Sequence, residues 1–225
     1  RKESSAASDV YKRQWLDFEF DPKDILFFRI DRKKKLPITT FLLALGYNKN
    51  KIIETFYSKN IYSYNAETKS WITDFNVENY KRPLKLSYDL INAKNNKKIL
   101  GKGEKLNLVI AKKLQEKGLD SILLSNEQII GKYIGDDIKD KNGELIIGAG
   151  FDITEEQLEK IIIQGEKKIS IVNVDPINKG PYILETLKVD KNNDKIEALN
   201  DIYKVLRPGE APSSEIAEDL SLIHI

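Results

Sequence analysis

The sequence predicts an α+β fold, in which a β-hairpin and several helices are interrupted by an inserted module of two strand-turn-strand-helix-strand repeats. Large apolar and acidic residues alternate over Trp15–Phe20, which predicts a half-buried strand. Residues 89–122 resemble residues 136–169, which predicts a duplicated unit. A helical apolar pattern over residues 193–206 adds a helix after the repeats.

The hairpin is predicted from the alternation and from the turn that follows it. Its first strand carries three apolar side chains that we expect to face the core: Leu16, Phe18 and Phe20. The turn at residues 21–24 contains a proline, which presets the backbone angle at its second position. The apolar run of residues 25–30 is the predicted partner strand.

A run of charged residues follows the second strand. Asp31 precedes four consecutive cations, Arg32–Lys35. Because a hairpin brings its first and last residues together, we expect Trp15 to lie near Asp31 and Arg32, on the face away from the core. By residue type alone, Trp15 is a packing residue and the cations form a solvated turn. An exposed aromatic ring beside a cation and a carboxylate would instead suit an unpaired base.

Two short helices are predicted after the cations. Leu36-Pro37 opens the first, Ile38–Leu45, which ends at Gly46. Asn48 is the predicted N-cap of the second, Lys49–Phe56. The apolar positions of both helices indicate packing rather than a helix-turn-helix DNA reader. Residues 58–88 predict short strands or irregular structure, with packing aromatics rather than a platform for bases.

The repeat appears when the sequence is shifted by 47 residues. Asp89 then falls on Asp136, and the segment ILGKG at residues 99–103 falls on IIGAG at residues 146–150. The helices are predicted at Leu108–Lys117 and Glu155–Ile163. The Gly-x-Gly pairs lack the third glycine or the Gly-Lys-Ser/Thr ending of a phosphate loop, so they indicate tight turns. The residues assemble no acid/base pair or nucleophile triad.

The last part of the chain contains one predicted extended stretch and two predicted helices. Tyr182–Val189 is predicted to be extended. A helix capped by Asn193 or Asp194 is predicted to reach Leu206, with one apolar face formed by Ile196, Leu199, Ile202, Tyr203 and Leu206. Another helix is predicted to begin at Ser213 or Ser214.

Composition excludes several classes of site. The chain has no cysteine, so a disulfide framework and a thiolate zinc site are both excluded. No apolar run approaches the length of a membrane span, and a cytoplasmic protein is the simplest expectation. The net charge of +2 comes entirely from the first 14 residues, so only local clustering of charge can indicate nucleic-acid binding.

Both ends of the chain are interpreted as adapter sequence rather than native protein. Residues 9–14 can be encoded by a DNA sequence whose reverse complement translates as residues 220–225. This inverted pair resembles the transposon end used in DNA library preparation, and residues 4–8 match its usual extension. Residues 1–14 and 220–225 are therefore excluded from fold prediction. The only histidine, His224, lies in the second tail, so histidine chemistry is not expected.

Two blocks resemble the bacterial RNA polymerase β subunit. The first is WLDFEFDPKD followed by RIDRKKKLP and an apolar helix, and it is similar to the lobe domain. The second is GPYILETLKVDKNNDKIEALNDIYKVLRPGEAPSSE, residues 180–215. The resemblance implies a fragment of a much longer subunit. It divides the chain into a first lobe segment at residues 15–57, an inserted repeat module at 58–172 and a second lobe segment at 173–219.

The resemblance also implies a role in transcription. In that family the lobe forms part of the wall of the downstream DNA channel, and the catalytic metal is held by the other large subunit. The expected partners are DNA, the β′, α and ω subunits and sigma factor, without a membrane. No catalytic residue and no cofactor are expected in this fragment, while the whole enzyme is expected to use Mg.

The family's pocket for an unstacked non-template base uses a tryptophan and an aspartate, which match Trp15 and Asp31. The adjacent basic residue matches Arg32. Lys33 and Lys34 stand where the family often has arginine, which keeps the charge but removes bidentate geometry. The expected nucleic-acid-binding residues are thus Trp15, Asp31, Arg32 and Lys33.

Two other classes stay open at this point. The chain could be a free-standing interaction module whose repeat is the working part, or an independent nucleic-acid-binding protein that uses the basic end of the hairpin. A reading frame that continues upstream of residue 15 into more β subunit would eliminate both.

Overall fold

The computed structural model describes residues 16–174 and 180–210, and the chain forms two compact units. The first unit contains the described residues up to Tyr57 and those from Val174 onward, and the second is Ser58–Asn173. Helices and antiparallel strands occur together, so the predicted α+β class is confirmed. That the second unit is an insertion stays a prediction.

The described strands form one sheet in the first unit and three in the second. In chain order they are β1 Leu16–Phe20, β2 Leu26–Ile30, β3 Leu36–Pro37, β4 Ser58–Asn65, β5 Ser70–Asp74, β6 Leu84–Lys85, β7 Leu90–Asn92, β8 Lys98–Leu100, β9 Lys105–Leu106, β10 Ser121–Leu124, β11 Ile138–Lys139, β12 Leu145–Ile147 and β13 Lys168–Asn173. The first unit has the order β1-β2-β3, and the large sheet of the second has the order β13-β4-β5-β10-β7-β8.

The described α-helices are α1 Ile38–Ala44, α2 Lys49–Phe56, α3 Leu108–Glu116, α4 Asn126–Ile129, α5 Glu155–Gln164, α6 Tyr182–Val189 and α7 Lys195–Leu206. A 3-10 turn occupies Val77–Tyr80. None of these helices combines the length and the apolar composition that crossing a bilayer requires.

The predicted hairpin forms, but its apolar face is buried only over β2 and not over β1. β1 and β2 pair antiparallel from Leu16 opposite Ile30 to Phe20 opposite Leu26. Leu16, Phe18 and Phe20 lie directly opposite Ile30, Phe28 and Leu26, so they share the face that carries the buried Phe28 and Ile30, as predicted. They are nevertheless 42%, 56% and 60% exposed, because α1 and α6 pack against β2 and β3 while β1 lies at the edge of the sheet.

Side-chain caps fix the helix starts that the sequence predicted. The Asn48 side chain accepts a hydrogen bond from the amide of Lys51 at 2.7 Å, which confirms the start of α2. Asp194 accepts from the amide of Glu197 at 2.9 Å at the start of α7. The predicted apolar face of α7 is mostly buried, but Ile196 is exposed and does not belong to it.

Tyr182–Val189 is a helix, which corrects the predicted extended conformation. Its buried residues Ile183, Leu184 and Leu187 follow helical spacing and face the interior. The phenol of Tyr57 lies at the start of α6, where it donates to the carbonyl of Gly180 at 2.8 Å and accepts from the amide of Ile183 at 3.3 Å. Burial raises the pKa of Tyr57 above its ordinary value.

A buried polar network joins α1 to the segment between α6 and α7. Thr39 and Thr40 both donate to the Oδ2 atom of Asp190, the second at 2.9 Å. The amide of Asn192 donates to Oδ1 of Asp190 at 3.0 Å, and the Asn192 side chain reaches Asp201 at 3.3 Å. The two threonines are fully buried, so α1 packs through polar as well as apolar side chains.

The core of the second unit includes aromatic residues that were predicted to pack. Trp71 is fully buried, and its ring nitrogen donates to the Asn126 side chain at 3.0 Å. Tyr64 lies against it with ring centroids 5.0 Å apart. The packing interpretation of Trp71 is confirmed, because a buried ring presents no platform for a base.

The two halves of the second unit repeat the same local hydrogen bonds. The amide of Lys102 donates to Asp89 at 2.7 Å, and the amide of Ala149 donates to Asp137 at 2.7 Å. Gly103 and Gly150 both adopt positive φ, at 90° and 86°. Each half contains a hairpin, a glycine turn, a helix and a closing strand, in that order.

One detail of the predicted repeat is wrong. Asp89 corresponds to Asp137 rather than to Asp136, because both side chains accept the equivalent backbone amide. The ladders agree: Leu90 pairs with Leu100, whereas Ile138 pairs with Ile147, so the first hairpin loop is one residue longer. The shift of 47 residues therefore holds only after the hairpin loop.

We expect replacement of Asp190 to weaken the first unit. Asp190→Ala would leave buried hydroxyl and amide donors without a partner, at a cost of about 1–3 kcal/mol for each unsatisfied group. Asp190→Asn keeps one acceptor oxygen and should cost less. Hydrogen exchange of the amides of α1 and α6 measures the loss of protection. Unchanged protection in Asp190→Ala would show that the network contributes nothing.

Candidate nucleic-acid interface

A strained two-residue turn begins the five-residue connection from β2 to β3. Asp31 and Arg32 both have positive φ, at 51° and 57°, and the amide of Lys33 donates to the carbonyl of Ile30 at 3.0 Å. This is the geometry of a type I′ turn, which normally uses asparagine and glycine. A left-handed residue with a side chain costs about 1–2 kcal/mol. The turn therefore keeps two predicted site residues at a conformational cost.

Asp31 and Arg32 carry unused hydrogen-bonding capacity within the described residues. The Oδ1 atom of Asp31 is buried and has no hydrogen-bond partner there. The Arg32 and Lys34 side chains are exposed, and neither makes a hydrogen bond or an ion pair in residues 16–174 and 180–210. The turn thus offers two exposed cations to an external group, and it also holds a buried carboxylate oxygen that has no partner among the described residues.

The other two cations of the run are held inside the unit. The ammonium of Lys33 donates to the carbonyl of Leu206 at 2.7 Å, at the end of α7 where helix carbonyls lack partners. The ammonium of Lys35 lies 3.7 Å from Glu19 and 3.6 Å from Asp21, over the ring of Phe27. Of the four consecutive cations, two are therefore anchored within the unit, and the other two have no partner among the described residues.

Arg29 fixes the turn from the strand side. Its guanidinium donates two hydrogen bonds to the Glu19 carboxylate, at 3.2 and 3.0 Å, and a third to the carbonyl of Lys33 at 3.3 Å. The hydrogen bond with Arg29 lowers the pKa of Glu19 and raises that of Arg29. The sequence analysis missed this pair, although a diagonal contact across a two-stranded ladder would have indicated it.

A cleft of about 490 Å³ lies beside the cationic run, in the first unit. It is lined by Lys33, Lys34, Leu36, Asp201, Lys204, Val205 and Pro208. Lys204 reaches Asp201 at 3.5 Å. The cleft brings together the turn and the end of α7, which are far apart in the sequence, so no sequence pattern could indicate it.

Trp15 lies outside the described residues, as do both tails and the helix predicted from Ser213 or Ser214. The last described pair of the ladder is Leu16 opposite Ile30. The structure therefore brings Asp31, Arg32 and Lys33 together on one turn, with Lys33 occupied by α7. The position of Trp15 stays a prediction.

The strain at the turn predicts that the same substitution changes stability differently at two cations of the run. Arg32→Gly removes the cost of a left-handed side chain, whereas Lys34→Gly does not, since Lys34 lacks a positive φ. Both changes remove one charge and add backbone entropy to the unfolded chain. We expect Arg32→Gly to be more stable than Lys34→Gly by about 1 kcal/mol. Exchange protection of the Lys33 amide measures this, and equal protection would contradict the strain.

Comparison with known proteins identifies the relatives. The family model described as RNA polymerase Rpb2, domain 2 matches residues 3–117, just over half of the chain, beginning within the stretch interpreted as adapter. A protein of Ehrlichia canis (strain Jake) named DNA-directed RNA polymerase subunit beta is 46% identical over 211 residues, which cover 93% of this chain and 15% of that protein.

Proteins of the same name from Rhizobium leguminosarum bv. trifolii (strain WSM2304) and Caulobacter sp. (strain K31) are 38% and 39% identical, and each alignment covers 92% of this chain and 15% of the relative. The chain thus spans about 15% of the length of the curated relatives it matches. The resemblance inferred from the two sequence blocks is confirmed, and the chain belongs to the RNA polymerase Rpb2 domain 2 family.

Proposed function

We propose that this chain is part of the lobe of a DNA-directed RNA polymerase β subunit, where it lines the downstream DNA channel and contacts the non-template strand. The observation that carries the proposal is the strained turn, which holds Asp31 and Arg32 with unused hydrogen-bonding groups. Backbone strain persists where the surrounding structure enforces it, and such places are often functional sites.

Each residue has a defined role in this proposal. Arg32 holds a phosphate, for which its planar guanidinium provides two parallel donors, and Lys34 neutralises the next phosphate as a point charge. The carboxylate of Asp31 accepts a hydrogen bond from a base amino group. Trp15 stacks on an unpaired base, which contributes about 1–3 kcal/mol. Lys33 orients the turn through its bond to α7.

The wider setting is also proposed. The chain acts in the cytoplasm within an assembly of β′, α, ω and sigma, and it has no catalytic residue of its own. The Mg that the whole enzyme uses is held by the other large subunit. The two free-standing alternatives lose support, since the relatives that align with 92–93% of the chain are all named as β subunits.

The difference between the unpaired and the anchored cations of the run gives a test with an internal control. In a complete polymerase, Arg32→Gln and Lys34→Gln should each lower the salt dependence of non-template-strand binding, by about 0.7 in the slope of log K against log salt concentration. Lys35→Gln removes the same charge, but its ammonium is already held by Glu19 and Asp21, so the slope should not change. The measurement is titration of a labelled pre-melted promoter at several salt concentrations.

The same titration can contradict the proposal in two ways. Equal slopes in wild type, Arg32→Gln and Lys34→Gln would show that these cations do not touch phosphate. An equal loss in all three variants, Lys35→Gln included, would indicate a general charge effect rather than contacts at the turn.

Trp15 provides a separate test. Trp15→Ala in a complete polymerase should shorten the promoter open-complex lifetime by about one to two orders of magnitude and weaken base preference at the start site, because one stacked base is lost. The rate of nucleotide addition on a preformed scaffold should stay nearly unchanged. Unchanged lifetime and preference would return Trp15 to a packing role, and a collapsed elongation rate would show a more direct effect on chemistry.

A further inference from the structure

The edge strand β1 presents an apolar surface that the first unit does not cover. Leu16, Phe18 and Phe20 lie on one face of β1 and are 42%, 56% and 60% exposed. Phe20 extends the surface to the first turn of α6, where its ring packs edge-on against Tyr182 with centroids 5.2 Å apart. Three neighbouring apolar side chains on one strand form a contiguous surface, which differs from the isolated exposed residues that every protein has.

The backbone of β1 is open on the same strand. The amide of Asp21 points toward β2 and donates a hydrogen bond to the carbonyl of Ile25 at 2.9 Å. Because amides alternate in direction along a strand, those of Phe18 and Phe20 point away from β2. Within the described residues β1 has only β2 as a neighbour. β1 has no lysine, proline or bulge, and its two charged residues, Asp17 and Glu19, lie on the face opposite Leu16, Phe18 and Phe20.

We propose that a β-strand of the same β subunit, from sequence outside this chain, pairs with the open edge of β1 and covers Leu16, Phe18 and Phe20 with its own apolar side chains. The inference rests on the family membership and not on the contact with DNA. The chain supplies about 15% of the length of its relatives, so most of the subunit is available to complete this sheet.

The chemistry of the surface favours this occupant over nucleic acid or a second copy. The exposed face carries no cation to attract phosphate, since Arg29 and Lys35 lie on the opposite face with Glu19. A second copy would have to displace sequence that is covalently tethered to the strand, and tethering gives an intramolecular partner a high effective concentration.

Accessibility of a cysteine at Phe18 tests the proposal in the assembled polymerase. Phe18→Cys and Ile196→Cys are placed in a complete β subunit whose other cysteines are replaced, and maleimide labelling is compared in native and urea-unfolded enzyme. The two positions are similarly exposed in this chain, at 56% and 60%. We expect native labelling at Phe18 to be at least about ten-fold slower than unfolded labelling, because a paired and covered side chain is reached only after local opening. A native rate within two-fold of the unfolded rate would overturn the proposal.

A photocrosslink identifies the occupant. Benzoylphenylalanine at position 18 of the complete subunit should crosslink to a peptide of the same β subunit outside residues 15–219, leaving the mass of the subunit unchanged. A crosslink to another subunit, to a second β subunit or to DNA would overturn the assignment. Benzoylphenylalanine at position 196 is the control for non-specific capture. Because neither experiment measures non-template-strand binding, their failure would leave the proposed role of the turn to its own tests.

Discussion

Burial of one short helix, α6, is the constraint on which the first unit depends. The hydroxyl of Tyr57, at the end of α2, makes a hydrogen bond with the first turn of α6. The hydroxyl of Thr186, within α6, accepts a hydrogen bond from the amide of Leu26 in β2 at 3.0 Å. At its end, Asp190 accepts from two threonines of α1. The sheet, α1 and α2 therefore all meet at α6. An unpaired buried group costs about 1–3 kcal/mol, so these bonds also disfavour other packings of the same elements.

The sequence analysis missed the helix on which the first unit depends, and the reason is physical. α6 has eight residues and no side-chain cap, since Pro181 occupies the N-cap position. Short helices are marginal by themselves and gain most of their stability from tertiary packing, which a local pattern does not show. By contrast, α2, α5 and α7 start at Asn48, Thr154 and Asp194, whose side chains bond the first turn, and such caps are visible in sequence.

The same distinction applies to the candidate site. The sequence showed a hairpin that ends in a carboxylate and four cations, and that arrangement is present. It could not show which cations are free, because this depends on groups distant in the chain: Leu206 for Lys33, and Glu19 with Asp21 for Lys35. The exposure of β1 has a related cause. Alternation predicts the face to which the apolar residues of β1 belong, but the placement of α1 and α6 decides how far across the sheet that face is covered.

The contacts of Arg29 and Lys33 explain how the turn keeps a strained conformation. Arg29 holds the carbonyl of Lys33 from the sheet, and the ammonium of Lys33 is held by the end of α7. Because Lys33 is tied to both the sheet and α7, the turn cannot move at this residue without breaking these contacts. Arg32 and Asp31 are then displayed on a fixed backbone, so a ligand that binds them pays little for ordering the turn. Folding of the unit has already met that cost, through the same packing that positions α6 and α7.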